Sequence, residues 1–346
     1  MANNIRAHTQ RKFEVRWLHV DKVKVLVVGA GIWGKEHCFS IKRIPNAELV
    51  GVVSRSLDRA LKVGAEVGVK AFTSISEAIE ETRPNAVTIA LPHGLHLEAV
   101  LEAIKYGVHL YVEKSFGASL RDAQLMAEAA RARGIKMMAG FSQRYISNYN
   151  EMARLARSGE LGRIRYVFAK RQTTGGFTEG HWTSDTALAG GGALAGWGTH
   201  DIDLVMYVAG SEPKYVYAMM EFDEKGRDIQ SHVLIRCENG AICETGIEYY
   251  AFGGDCFAWV LGERGRVDAV REGKIVIVRE GLQPEVKESP HKEWSSYFLT
   301  EALKAFIESI INDTEPPIPP EDGVRVWKVV EAAYKSAQTG SPIKIS

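Results

Sequence analysis

The sequence lacks net charge and long apolar runs, and each absence removes a class of function. Lysine plus arginine and aspartate plus glutamate number 43 each in the 346 residues. No excess of positive charge therefore draws the chain to nucleic acid or to an anionic membrane surface. No apolar run approaches the roughly 20 residues that a membrane-spanning helix needs. We expect a globular protein of about two domains that acts on a small neutral or modestly charged molecule.

Cysteine is scarce, and its spacing excludes two further kinds of site. Cys38, Cys237, Cys243 and Cys256 show neither C-x-x-C nor Cys/His ligand spacing, so we predict no metal site. Reduced thiols are typical of a cytoplasmic protein, which is where we place the chain. The first 20 residues are polar and basic, without the apolar segment of a secretory signal. We predict an N-terminal arm over residues 1–20, either a disordered tail or a segment lying on a neighbouring molecule.

The chain does contain a glycine-rich turn near its start. In residues 23–37 a β-branched run is followed by Gly29, Gly31 and Gly34 at the G-x-G-x-x-G spacing and then by apolar residues at helical spacing. After a strand and before a helix, this spacing predicts dinucleotide binding, since the glycines permit a sharp turn, close approach of a pyrophosphate and tight helix packing. The alternative is an ordinary tight turn. The helix N-terminus would bind the phosphates, with Ile32 and Trp33 beside them.

The order of predicted elements divides the chain into two parts. Strands and helices alternate up to about residue 141, which is typical of a parallel sheet with ligands at the carboxyl ends of its strands. After Tyr145 the pattern changes, and short alternating runs follow Lys214, with Glu238–Ala241 predicted as a type I′ hairpin turn. We predict an α/β Rossmann domain over 21–142. An α+β domain with a large, mostly antiparallel open sheet would follow over 143–346 and serve substrate binding and oligomerisation.

The end of the second predicted strand bears on the choice of cofactor. NAD-binding turns carry an acidic residue there to bind the ribose hydroxyls, but this chain has Ser54. A hydroxyl does not repel a ribose 2′-phosphate, and Arg55 and Arg59 could pair with one. The alternative is that both arginines are solvated surface charges. We predict that NADP(H) is favoured and that NAD(H) is possible.

Two later strand ends supply candidates for the same crevice. Glu113 and Lys114 end one strand, where a lysine could hold a substrate hydroxyl or the nicotinamide ribose and favour an alkoxide-like transition state. The alternative is a solvated charge pair. After the preceding strand, His96 is as consistent with filling a helix start as with touching cofactor. The residues expected there are Leu91, Pro92, His93 and His96.

A third cluster lies between Gly190 and Asp203. Its glycines permit close approach of a ligand, and His200 could exchange a proton at a substrate oxygen near neutral pH. The alternative is a structural histidine at a helix start. Loop 172–182 would help to set substrate identity.

Together these stretches resemble the Gfo/Idh/MocA family, that of glucose-fructose oxidoreductase, inositol dehydrogenase and the MocA protein. The resemblance covers about residues 22–342. It implies a Rossmann domain followed by an open-sheet domain that often forms dimers or tetramers, acting on sugars, cyclitols or nucleotide sugars. It also implies that Lys114 is the active-site lysine and His200 the acid/base. The motifs are the Gly29 loop, Pro92 with His96, Glu113–Lys114, Gly140 with Arg144–Tyr145, the Gly190–His200 block and Glu321–Gly323.

The chain departs from the family pattern at two positions. Ser115 follows Lys114 where proline is usual, and Gly196 stands where inositol dehydrogenase-like members have the Asp of Asp-x-x-x-His. Asp201 or Asp203 could substitute, Glu179 or Asp185 could reach in from the preceding loop, or a larger substrate could fill the space. We favour the larger substrate, with Asp203 shaping the pocket. The remaining predicted contacts are Arg144 at the cofactor and Tyr145, Trp182 and Trp197 at the substrate.

These features predict an NAD(P)-dependent dehydrogenase or reductase that transfers hydride between nicotinamide and a sugar, cyclitol or sugar-derivative alcohol or ketone. A nonenzymatic NAD(P)-binding sensor is one alternative. A glycoside-cleaving or epimerising enzyme that oxidises its substrate transiently is another. We also predict a homodimer or homotetramer through the C-terminal sheet, because residues 241–260 carry many apolar and aromatic groups, among them Tyr249, Phe252, Phe257 and Trp259.

Overall fold

The computed structural model describes residues 22–270, 273–288 and 296–345, which are built around two β-sheets. The predicted N-terminal arm, 1–20, lies outside these residues. Within the described ranges, none of the helices is long and apolar enough to cross a membrane.

The first sheet has six parallel strands in the order β3-β2-β1-β4-β5-β6. Its strands are short apolar runs because helices cover both faces. The strand order reverses between β1 and β4, where open α/β sheets bind ligands. The strands are β1 Val23–Val28, β2 Ala47–Val53, β3 Ala71–Phe72, β4 Ala86–Ile89, β5 His109–Glu113 and β6 Met137–Gly140, and the helices are α1 Ile32–Arg43, α2 Leu57–Val67, α3 Ile75–Thr82, α4 His96–Ile104 and α5 Leu120–Ala132.

Serine caps fix the starts of three of these helices. The spacing of Ser74 and Glu77 in the sequence predicts a capping box at the start of α3. The serine cap forms, since Ser74 Oγ accepts a hydrogen bond from the Glu77 amide at 3.2 Å. Ser56 and Ser119 cap α2 and α5 in the same way. Each hydroxyl satisfies an amide that the first helical turn leaves without a partner.

The second sheet has nine strands in the order β14-β13-β12-β11-β7-β10-β9-β8-β15. Strand β7 runs parallel to β10 and the other pairs are antiparallel. The predicted fold class, a Rossmann domain with a large and mostly antiparallel second sheet, is confirmed. The strands are β7 Ile164–Gln172, β8 Pro213–Phe222, β9 Asp228–Cys237, β10 Ile242–Glu248, β11 Asp255–Gly262, β12 Gly265–Ala269, β13 Lys274–Arg279, β14 Glu285–Glu288 and β15 Ile343–Lys344.

The hairpin between β9 and β10 corrects the predicted type I′ turn. Such a turn needs positive φ at both central residues, but only Gly240, at φ +87°, has it. The Gly240 amide donates to the Cys237 carbonyl at 3.1 Å, and the Cys237 amide donates to Ala241. The connection is therefore a type I turn followed by a left-handed glycine, the usual three-residue hairpin loop.

Helices cover one face of the second sheet and leave the other face open. Helices α6, α8 and α10 pack on the buried face, whereas α9 returns to pack against α1. The sequence predicts a last helix over about Gly323–Ala337. Helix α10 begins three residues earlier, at Pro320, because proline is suited to the first helical turn. The division into domains at residue 142 stays a prediction. The helices are α6 Ser147–Arg157, α7 Thr186–Ala189, α8 Thr199–Ala209, α9 Ser296–Ile311 and α10 Pro320–Thr339.

Candidate active site

A cavity of about 720 Å³ lies at the carboxyl edge of the parallel sheet, between that sheet and the second domain. The turns after β1, β2, β4 and β5 form one side, and the loop before α7 and the glycine-rich turn before α8 form the other. The structure thus brings residues from across the chain to one site. The predicted residues that line it are Gly29, Gly31, Ile32, Trp33, Ser54, Arg55, Arg59, Leu91, Pro92, His93, Glu113, Lys114, Trp182 and Trp197.

The first glycine turn has the shape that a dinucleotide needs. Gly29 has φ +122°, and a Cβ there would collide with the Ala90 carbonyl. A Cβ on Gly34 would collide with the Gly29 carbonyl, so this position sets the close approach of α1 to β1. A Cβ on Gly31 would meet nothing within 4 Å. Backbone open to the cavity at the N-terminus of α1 is suited to a pyrophosphate, and the residues present fit the cofactor.

Ser54, Arg55 and Arg59 lie at the end of the cavity next to β2. Ser54 Oγ accepts from the Ser56 amide at 3.3 Å. Both arginines are exposed, and no ion pair holds either of them among the described residues. Their guanidinium groups are available to an anionic ligand.

The two histidines after β4 differ in position. His96 is buried outside the lining, with Nε2 2.9 Å from the Leu91 carbonyl and Nδ1 accepting from the Gly117 amide. Burial lowers the pKa of His96 to about 4, so it is a neutral structural group rather than the predicted cofactor contact. His93 lines the cavity, donates from Nδ1 to the Ala189 carbonyl at 2.8 Å and meets the Trp182 ring edge-on.

Lys114 is held at the cavity by neighbours on both domains. Its Nζ donates to the Gly196 carbonyl at 2.9 Å and lies 5.0 Å from the centre of the Trp197 ring. The preceding Glu113 accepts from His37 Nε2 at 3.0 Å, and both groups are buried. Burial lowers the pKa of Lys114 to about 8, against the opposite effect of Glu113. Lys114 can therefore take or give a proton near neutral pH.

Ser115, which replaces the usual proline, joins Lys114 to the glycine-rich turn. Its Oγ donates to the Ala195 carbonyl at 2.5 Å and lies 3.0 Å from Thr199 Oγ1. Its carbonyl accepts from Trp327 Nε1 at 2.7 Å. Ala195 belongs to a π-helical turn, Leu194–Gly198, that runs into α8 at Thr199. Sequence reasoning treated Ser115 only as a departure and missed this connection.

His200 is buried beside the cavity and not among its lining residues. Burial, with the nearby charge of Lys114, lowers the pKa of His200 well below its ordinary value. Its Nδ1 is buried without a hydrogen-bond partner among the described residues. The imidazole is therefore neutral, and no carboxylate fixes its tautomer.

Three predicted site residues lie away from the cavity, and these predictions are corrected. Arg144 donates to both carboxylate oxygens of Asp203 and also pairs with Asp322 at 2.7 Å, all inside the protein. Tyr145 precedes α6 outside the lining, and burial raises its pKa to about 12. Asp203 is engaged by Arg144 and does not shape the pocket, because its face of α8 turns toward α10.

The loop carboxylates do not replace the missing aspartate either. Glu179 pairs with Lys225 at 2.7 Å, and Asp185 caps α7. Asp201 binds Arg171, a residue that the sequence analysis missed. The signal was present, because Arg171 continues the alternation of buried residues Val167 and Ala169 in β7. Phe177 and Tyr249 were not predicted as lining residues either.

Comparison with known proteins gives matches along most of the chain. The family model described as "Oxidoreductase family, NAD-binding Rossmann fold" matches residues 23–141, and "GFO/IDH/MocA C-terminal domain" matches 149–268. Myo-inositol 2-dehydrogenase of Thermotoga maritima is 25% identical over 93% of this chain and 98% of its own. The 1,5-anhydro-D-fructose reductase of Ensifer adhaerens is 25% identical over 92% and 97%. A structure of GenD2 from gentamicin A biosynthesis, in complex with NAD, has 25% identity and a TM-score of 0.82 over 95% of this chain and 98% of its own.

Proposed function

The chain belongs to the Gfo/Idh/MocA family of NAD-binding oxidoreductases, and from that premise we propose that it moves a hydride between nicotinamide and a sugar-like alcohol or its ketone. The observation that supports this most is that Lys114, with its lowered pKa, lines the same cavity as the open backbone of Gly31. A proton-transfer group and a pyrophosphate cradle in one cavity are the two parts that such a reaction requires.

The chemistry at the substrate oxygen is assigned to Lys114 and His200. When bound, the nicotinamide accepts a hydride from an alcohol carbon or returns one to a ketone. As the hydride leaves, the neutral amine of Lys114 takes the hydroxyl proton, and in reduction the ammonium returns it. Neutral His200 lies buried beside the cavity rather than in its lining, and we assign it a supporting hydrogen bond to the same oxygen when substrate fills the cavity. Glu113, held by His37, lies beside the lysine as a fixed negative charge.

The substrate half of the cavity favours a sugar-like ring. Aromatic side chains line it, among them Trp182, Trp197 and Tyr249, and such faces bind the apolar faces of sugar rings by burial. A Cβ on Gly196 would meet only the Tyr249 hydroxyl, at 3.4 Å. Room is therefore present where relatives resembling inositol dehydrogenase have a carboxylate, which supports a substrate larger than inositol.

We also propose that NADP(H) binds more tightly than NAD(H). Ser54 presents no carboxylate to a 2′-phosphate, and the exposed Arg55 and Arg59 line the same end of the cavity. The 2′-phosphate that distinguishes NADP(H) from NAD(H) would therefore have two guanidinium groups near it, those of Arg55 and Arg59.

A homodimer or homotetramer in the cytoplasm completes the proposal. The open face of the second sheet carries a cluster of rings, in which Tyr166 stacks on Trp259 at 5.1 Å and Phe168 lies 5.8 Å from the same indole. An apolar surface of this kind usually marks an interface. The cytoplasmic assignment rests on the four cysteines, all of which are buried thiols.

The proposed function is tested by cofactor reduction. The purified protein is mixed with NAD⁺ or NADP⁺ and a panel of sugars, anhydrosugars and cyclitols, and absorbance is followed at the wavelength of the reduced nicotinamide. Turnover with at least one member is expected. If neither cofactor binds in a calorimetric titration, both the oxidoreductase and the NAD(P)-binding sensor are contradicted. Tight binding with product formed but no net cofactor reduction would instead favour the epimerising or glycoside-cleaving alternative.

A further inference from the structure

Helix α8 carries two buried aspartates that face in different directions, and each pairs with an arginine from another element. Asp203 pairs with Arg144 on the side next to α10. Asp201 pairs with Arg171, whose Nε and Nη2 lie 3.1 and 3.0 Å from the two carboxylate oxygens. Removing two charges from water is costly, and such a pair by itself adds little stability. A second buried pair two residues from the first is therefore a feature to be explained.

The Arg171 guanidinium is held on every side. Besides Asp201, it donates to Gln143 Oε1 at 2.8 Å and lies 3.4 Å from Cys256 Sγ. Its central carbon lies 5.3 Å from the centre of the Trp197 ring. A planar cation fixed by a bidentate carboxylate keeps one orientation, and its attraction to an aromatic ring is strongest when water is excluded.

Trp197 connects this pair to the active site. The same indole has Lys114 Nζ at 5.0 Å from its centre, and Lys114 donates to the carbonyl of the adjacent Gly196. Trp197 lines the cavity, so its ring is exposed to substrate while two cations lie against it. Arg171 thus contacts the indole that forms the proposed substrate surface, and that indole in turn contacts Lys114, the proposed proton-transfer group. Asp201 is linked to both through Arg171.

We propose that the Arg171–Asp201 pair is the positioning element of this active site, holding Trp197 as the substrate platform and setting the electrostatic environment of the Lys114 ammonium. This inference rests on the proposed function for the role of Lys114. Neither residue touches substrate, and both act through their neighbours.

The charges around Lys114 give the two partners opposite effects. Arg171 lowers the pKa of Lys114, and Asp201 raises it by a smaller amount. Glu113 also raises it, while burial is the largest cause and lowers it. The other titratable groups facing this lysine are His93, His96 and His200, each of which has a lowered pKa and is neutral near pH 7. Single substitutions of Arg171 and Asp201 should therefore change the pKa of Lys114 in opposite directions.

The experiment measures the protonation of Lys114 directly. The full-length protein is labelled at a series of pH values with limiting acetic anhydride, and acetylation of Lys114 is quantified by mass spectrometry. The wild-type midpoint is expected at about 8. Arg171→Met should move it to higher pH and Asp201→Asn to lower pH, each by about half a unit or more. Asp203→Asn, which alters the other pair on α8, should leave it unchanged.

The opposite directions of the two expected shifts in the Lys114 midpoint separate a positioning role from a merely structural one, because a general loss of structure would not move the midpoint in opposite directions. Shifts in the same direction for both variants, or none, would overturn the proposal, as would an equal shift in Asp203→Asn. If Arg171→Met does not fold, the double variant Arg171→Met/Asp201→Asn removes both charges and should still shift the midpoint upward, because the effect of Arg171 is the larger. The labelling needs no substrate, so opposite shifts can be observed even if the wild-type protein turns over no member of the substrate panel, which would contradict the proposed function alone. Unchanged turnover in both variants on a substrate that the wild type uses would overturn the role of the pair in positioning Trp197.

Discussion

At the scale of single residues, the site depends on one lysine that titrates near neutral pH and one histidine that does not. The pKa of Lys114 is lowered to about 8 and that of His200 well below its ordinary value, in both cases mainly by burial. Burial disfavours the charged form of each group. The two side chains therefore divide the work, since the lysine can change its charge while the histidine remains a neutral hydrogen-bonding group.

This division predicts the pH dependence of turnover. Alcohol oxidation needs the neutral amine of Lys114, so its rate should rise as pH passes through about 8, and ketone reduction should fall over the same interval. No second limb should arise from His200, yet His200→Ala should lose at least about a hundredfold in turnover, the low end for a group at the proton-transfer site. Steady-state rates between pH 5 and 10 provide the test, and full activity in His200→Ala would make the histidine structural.

Arg55 carries the prediction of cofactor preference. A charge-assisted contact with the 2′-phosphate contributes roughly 1.5 to 3 kcal/mol, or about tenfold to a hundredfold in affinity. We expect NADP(H) to bind more tightly than NAD(H) by such a factor, and Arg55→Ala to remove most of the difference. Calorimetric titration of both cofactors measures it. Equal affinities in the wild type, unchanged in the variant, would contradict the assignment.

The sequence predicts residues better where a backbone motif fixes them than where side chains choose their partners. The Gly29 turn and Glu113–Lys114 lie at strand ends, so the parallel topology brings them to one edge. Arg144 lies in one of the family motifs and Asp203 follows another, and both were predicted as site residues. Their charges instead pair with each other inside the protein. Which arginine each of the two buried carboxylates on α8 pairs with depends on the packing of α8 against β7 and α10, and one sequence does not contain that information.

At the scale of elements, the Arg144 network joins the turn after β6 to α8 and α10. Arg144 pairs with Asp203 on α8 and Asp322 on α10, and its guanidinium lies 4.3 Å from the centre of the Tyr207 ring. Asp322 also accepts from Arg325. This explains the closing Glu321–Gly323 motif as a structural contact.

Breaking that network should be costly. Arg144→Met leaves the buried Asp203 without its cation and removes one of the two arginines that pair with Asp322. Removing one partner of a buried pair destabilises a protein by about 3 to 5 kcal/mol. Arg131→Met is the matched control, because the Arg131–Glu321 pair is exposed and should contribute less than about 1 kcal/mol. Denaturant unfolding of both variants measures the free energies. Equal small losses would show that the network does not hold the elements together.

Elements with strong local signals were predicted, and those defined by pairing were not. The sequence predicts a helix over Leu57–Val67, and α2 has these bounds because a serine cap precedes it and a left-handed glycine follows it. The sequence predicts strands only as far as residue 262. Strand β3 has only two residues, and β12 to β14 lie beyond residue 262. The parallel pairing of β7 with β10 joins strands about 75 residues apart, and the π-helical turn at Leu194–Gly198 follows from tertiary contacts. Local propensity does not encode either feature.

At the scale of the whole molecule, the open face of the second sheet presents a group of apolar and aromatic side chains. Tyr166, Phe168 and Trp259 lie on this face, and Met219, 67% exposed, extends it to β8. Of the aromatic residues expected there, Phe257 lies on this face, where it pairs in register with Lys170 of β7. Tyr249 lines the cavity instead, and Phe252 is 98% exposed in the following loop.

The open face predicts self-association. We expect a dimer or tetramer by light scattering at micromolar concentration, and Trp259→Glu should shift the protein toward the monomer because it places a charge inside the apolar contact. Phe252→Glu introduces the same charge at an exposed aromatic outside the sheet and should leave the mass unchanged. A monomeric wild-type protein would reject this assembly.

The most direct test of the account is the rate of reduced nicotinamide formation by Lys114→Ala on the substrate that the wild-type protein uses. Turnover should fall by at least about a hundredfold, with cofactor affinity within a few-fold of the wild type, because Gly29, Gly31 and Gly34 form the pyrophosphate cradle from backbone alone. A variant that binds cofactor normally and turns over at the wild-type rate would contradict the assignment of Lys114 as the proton-transfer group, and with it the mechanism derived from this cavity.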